Sequence, residues 1–164
     1  MSQTTMSQTT IRQTFVRRSV LGFGLGGAVS ALLLGRTTSS QAATASYKAT
    51  MNGATEVPPN TTTGSGTVTA TFDPATKTLS WEGTFSGLTG PATAAHFHGP
   101  AEAGKNAGVA IWISEKGQPF ASPFKGSATL TDGQASDLQS GLWYANVHTA
   151  ANPGGELRGQ VMKA

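Results

Sequence analysis

Cysteine is absent from all 164 residues, so no disulfide and no thiolate metal ligand exists, and any stapling must come from packing or from a metal held by other groups. Long apolar runs are missing too. The most apolar stretch, Leu21 to Leu34, is a glycine-rich run of 14 residues, short of the ~20 that a spanning helix needs. Histidine occurs only three times, at His96, His98 and His148, and beyond Arg36 the chain has one arginine, Arg158. Such scarcity makes the placement of each of these residues informative.

What stands at the N-terminal end reads as an address. Met-Ser-Gln-Thr-Thr occurs twice, then Phe15-Val-Arg-Arg-Ser-Val-Leu21 carries the paired arginines of a twin-arginine export signal ahead of the short apolar run. Ala43-Thr44-Ala45 offers a small-x-small cleavage point. Residues 1–45 are therefore expected to be a tail and signal peptide, and 46–164 the exported domain, periplasmic or extracellular, with no stable membrane span after cleavage. Removing the four leader arginines changes the formal charge from +3 to −1, seven basic residues against eight acidic. The basic balance of the whole chain is thus no sign of a nucleic-acid partner. Twin-arginine export carries folded proteins, which suits a domain that acquires a cofactor first.

Beyond residue 45, short alternating segments separated by turn residues predict an all-β domain, a Greek-key antiparallel β-sandwich or barrel of about eight strands with one short helix. Tyr47, Ala49 and Met51 alternate before Val57-Pro58-Pro59 breaks the run. Val68, Ala70 and Phe72 form one face of a strand that turns through Asp73-Pro-Ala-Thr-Lys77 into Leu79, Trp81 and Phe85, a hairpin. Further strands are expected at His96, over Val109 to Ile113, Phe124 to Leu130, Leu142 to Thr149 and Glu156 to Met162. Thr131 with Gln134 three residues on predicts a capping box for a helix over Asp132 to Gln139, with Gly141 just past its end. Trp81, Trp112 and Trp143 read as core or rim aromatics.

Side chains alternate across a strand, so His96 and His98 share one face with Phe97 opposite, and His148 lies opposite Val147. If Phe97 and Val147 fill the core, all three imidazoles lie outside it, and two imidazoles two residues apart can reach one metal ion. Leu157 and Val161 likewise put Arg158 on the exterior, ten residues from His148 across a Pro153-Gly154-Gly155 loop. Three neutral nitrogen ligands without thiolate suit copper or zinc, and copper binds a given nitrogen site more tightly. A guanidinium nearby favours a small anion. An open redox metal with an anion guide is what superoxide dismutation requires, and zinc cannot perform the electron transfer. Glu156 and Asn146 are expected on the exterior face, holding the adjacent loop or orienting a ligand imidazole.

Glu56-Val-Pro-Pro59, Ala94-Ala-His-Phe-His-Gly-Pro-Ala101, Tyr144-Ala-Asn-Val-His-Thr149 and Asn152-Pro-Gly-Gly-Glu-Leu-Arg-Gly-Gln160 together resemble the chordin-type (CHRD) domain family, across essentially the whole of 46–164. His-x-His, a later strand histidine and an arginine soon after in a glycine-rich stretch is also similar to the copper half of the copper/zinc superoxide dismutases. That resemblance implies His96, His98 and His148 as copper ligands and Arg158 as the catalytic residue guiding superoxide. Those dismutases add a bridging histidine, further zinc ligands and usually a disulfide. With no fourth histidine and no cysteine, a single copper ion and no zinc site is expected here. The chordin resemblance also implies a noncatalytic extracellular binding or structural module, and the histidine triplet leaves a third use open, copper sequestration or delivery without turnover.

Overall fold

The computed structural model describes residues 43–164 other than 117 and 119, so the expected leader lies almost wholly outside the described residues. Nine strands and one α-helix follow in the order β1 (Ala45–Asn52), β2 (Ser65–Asp73), β3 (Thr78–Ser86), β4 (Ala92–His98), β5 (Val109–Trp112), β6 (Phe124–Thr129), α1 (Asp132–Gln139), β7 (Tyr144–Thr149), β8 (Leu157–Gln160) and β9 (Met162–Lys163). All pairings are antiparallel, in the spatial order β5-β4-β7-β8-β1-β2-β3-β6, with β9 on β1. Consecutive strands pair within the β1-β2-β3 meander and in β4-β5 and β7-β8, while β3 beside β6, β4 beside β7 and β8 beside β1 are the non-consecutive neighbours of Greek-key crossovers. An isolated bridge joins Ala92, at the start of β4, to Phe120 in the segment that leads into β6, and brings the sheet close to closure as a barrel.

The expected period-2 pattern decides which residues point inward. Tyr47, Ala49 and Met51 of β1 and Val68, Ala70 and Phe72 of β2 are all buried, and their polar neighbours in sequence lie outside. Asp73 closes the hairpin by accepting from the Ala75 N–H, and Lys77 takes the positive φ of 54° that the turn requires. Helix α1 begins as its sequence demands. The Thr131 hydroxyl accepts from the Gln134 N–H while the Gln134 side chain accepts from the Thr131 N–H, and Ala135 and Leu138, three apart, are buried in the core. The expected last strand is interrupted at Val161, whose side chain is in the core, so it becomes β8 and β9.

Two aromatics, one in β3 and one just ahead of β7, meet the one that separates the paired histidines. Phe97, fully buried, packs edge-on against Trp81 at 5.4 Å and tilted against Trp143 at 5.8 Å. Trp81 and Trp143 are core residues, whereas Trp112 is on the rim. Phe97 thus anchors β4 from inside and fixes both imidazoles outside. Replacing Phe97 by Ala is expected to cost about 3–5 kcal/mol, read from urea unfolding of the metal-free protein. A loss below 1 kcal/mol would contradict this anchoring role.

Candidate metal centre

Strands β4 and β7 are neighbours, with Ala94 opposite His148 and His96 opposite Asn146, so the three histidines share one side of two adjacent strands. One ligand nitrogen from each of His96, His98 and His148 lies within 4.8 Å of the others, a group that can hold a metal ion. The expected convergence of two distant segments is what the register delivers. The β4–β5 register shifts between Phe97 and His98, a bulge that re-aims the strand immediately beside a candidate ligand.

Hydrogen bonds decide which nitrogens are offered. His98 Nδ1 is 3.1 Å from the Ala107 carbonyl and His148 Nδ1 is 3.0 Å from that of Pro153. A carbonyl only accepts, so each Nδ1 carries the proton and each Nε2 keeps its lone pair. His96 Nδ1 lies 3.1 Å from His148 Nε2. Given the His148 tautomer, His96 donates there, and its Nε2, like that of His98, is buried with no hydrogen-bond partner. The bare Nε2 of His98, with His148 Nε2 and the His96 Nδ1 that faces it, forms a set of imidazole nitrogens of the kind that a late first-row transition ion could take.

The imidazoles are also kept neutral. Burial, then the nearby charge of His148 and His98, pushes His96 down to about 4 from the usual 6.5. Burial lowers His98 as well, opposed by its bond to Ala107 and reinforced by the positive fields of His148 and Arg158. His148 is lowered by burial against the pull of Pro153. Neutral imidazole is the ligating form.

The exterior face departs from a simple solvent-facing one. Loops between β1 and β2, β4 and β5, and β7 and β8 cover it, so polar residues predicted outside are outside the core yet buried: Asn146, Glu156 and Arg158 are each no more than 2% exposed. Glu156 is a hub. Its carboxylate accepts from the hydroxyls of Thr62, Thr89 and Thr149, from the Thr89 N–H and from the Asn152 amide. Burial raises its pKa, but these donors outweigh burial and hold it down at about 2. It therefore holds the loop whose Pro153 carbonyl orients His148. Asn146 instead donates to Glu56 Oε1 at 2.6 Å and to the Leu157 carbonyl. A Cβ at Gly155, where φ is +136°, would stand 2.5 Å from that Glu56 oxygen, so no side chain fits there.

Arg158 lies on the expected side of the sheet, but its guanidinium does not face solvent and pairs with neither Glu156 nor Glu102. It donates to Asn106 Oδ1 at 2.8 Å and to the Lys105 carbonyl, and lies 3.6 Å from the centre of the Tyr144 ring. The reason is the 99–108 loop, which folds over it. Residues that sequence alone did not single out are Tyr144, stacked on His98 at 4.8 Å, Trp112, edge-on to His96 at 4.2 Å and 43% exposed, and Asn106. Tyr144 alternates in phase with Asn146 and His148, which is the one signal that placed it on this face.

The family model for the CHRD domain matches residues 47–161, from within β1 to the residue after β8, all three histidines included. The chain belongs to the CHRD domain family. No curated protein and no solved structure matches it. In this CHRD domain the three-histidine group, Glu156 and Arg158 all fall within the matched span.

The two buried carboxylates have opposite pH signatures. Glu156, lowered from 4.5 to about 2, contributes stability that is present above the unfolded value and lost as pH falls from 4.5 towards 2. Burial, opposed by the Asn146 bond and the Arg158 charge, raises Glu56 to about 7, so its stability contribution is present below 4.5 and lost as pH rises through 7. Glu156→Gln is expected to flatten the acid limb and Glu56→Gln the decline between pH 5 and 7, measured by urea unfolding of metal-free protein. Unchanged limbs would refute the assignments.

Proposed function

We propose that this CHRD domain is an exported copper protein that dismutates superoxide, with His96, His98 and His148 holding one copper ion. The observation that carries the reading is the convergence of three neutral imidazole nitrogens with two tautomers set by backbone carbonyls. Such a set has no thiolate and no carboxylate and favours copper over zinc. Copper, when bound, supplies reversible one-electron chemistry, taking an electron from one superoxide and returning it to another. The chain's part is to bind and orient. His98 and His148 present Nε2, and His96 presents Nδ1 once its proton moves to Nε2, a shift that needs no net proton release. Trp112 walls one flank of His96. Arg158, although covered, is close enough that its positive field is felt at His98, and a field of that sign favours a small anion.

A second reading, copper storage without turnover, is favoured by one observation, the engagement of the Arg158 guanidinium beneath a loop. The two separate in one experiment. Protein folded with copper and zinc both present is expected to retain one copper per chain and to remove superoxide, and His148→Ala is expected to lose about 10-fold or more in copper affinity together with turnover. Tight copper without turnover selects storage. Copper-loaded protein no faster than its His148→Ala form sinks the catalytic reading, and no stoichiometric copper sinks both.

A further inference from the structure

Three successive residues of the 99–108 loop are tied down by two side chains from the sheet beneath. Arg158 of β8 binds the Lys105 carbonyl and the Asn106 side chain. Asn106 in turn donates to the Val57 carbonyl at 2.9 Å, joining this loop to the one between β1 and β2. Tyr144 of β7 takes the next residue: its hydroxyl accepts from the Ala107 N–H at 3.2 Å and is 3.3 Å from the Ala107 carbonyl. That same carbonyl holds His98 Nδ1, and the Tyr144 ring lies parallel to the His98 ring, within 3°. Strand β7 runs between β4 and β8, so on this one face of the sheet a single aromatic ring receives the imidazole from one flanking strand and the guanidinium from the other.

We infer that Arg158 and Tyr144 are positioning residues for His98, acting through residues 105–107 of the loop to aim its Nε2 at the centre. The inference rests on reading the three histidines as a metal site. The planar fork of arginine is what the arrangement uses: two donors reach two acceptors on adjacent residues while the flat face packs on a ring. Lysine keeps the charge but has neither fork nor face. A role through charge alone is therefore separable from a role through geometry.

The experiment compares the whole protein with Arg158→Ala, Arg158→Lys, Tyr144→Phe and Asn106→Ala, by copper affinity against a competing chelator and by nitrogen-15 NMR of the imidazoles in metal-free protein. Wild type is expected to have His98 protonated at Nδ1 and bare at Nε2. Arg158→Ala should lower copper affinity about 10- to 100-fold and mix the His98 tautomers, with His148 unchanged, and Arg158→Lys should not restore either. Tyr144→Phe, which deletes one oxygen, and Asn106→Ala, at an exposed residue, give the same reading if Arg158→Ala does not fold. Wild-type affinity and tautomers in these variants, or full rescue by lysine, overturn the inference. Failure of wild type to bind copper would instead defeat the metal reading, while the metal-free tautomers would still decide whether Arg158 aims His98.

Discussion

Two backbone carbonyls, those of Ala107 and Pro153, decide which face of the chemistry His98 and His148 present. An imidazole is ambidextrous, and a strand fixes only the direction of its Cβ. The rest is settled from loops, and a loop can settle it only if the loop itself is held. Here each is held by a buried group of opposite charge: a carboxylate with five donors under one loop, a guanidinium with two acceptors and a ring under the other. Burying either charge would be costly in isolation. Both persist because nearly every polar contact around them is made.

The fold subordinates its core to this arrangement. Phe97, Ala145, Val147 and Leu157 point inward from the same strands whose alternate residues build the outer layer. Packing on one side thus sets register, and register sets which polar residues face each other on the other side. A one-residue slip of β7 against β4 would bury His148 and expose Val147, which the hydrophobic term strongly opposes.

Much of this was legible in the residues because the strand alternation is regular and the helix start carries its own cap. Alternation in β1, β2 and β7 gave the inward set, Thr131 with Gln134 gave the start of α1, and His-x-His with a later in-phase histidine gave the cluster. What alternation could not supply was the second cover. It separates core side from outer side, and it says nothing of loops lying over the outer side, so Arg158 reads as open when it is enclosed. Tyr144 and Asn106 escaped notice for a related reason: their importance comes from contacts made across a loop, which no spacing rule encodes. The break at Val161 is a third instance, where a local change of pairing partner overrides a continuous pattern.

The tethering of both loops has a consequence for discrimination among ions. Ligands already immobilised surrender little rotational freedom when an ion arrives, so affinity would express the bare preference of three nitrogens. That preference climbs the first-row series to copper whatever ion is wanted. If the three histidines hold an ion, a pocket so constructed would have no means of refusing copper, and the identity of its occupant would be delegated to the supply of ions in the compartment where the chain acquires its fold.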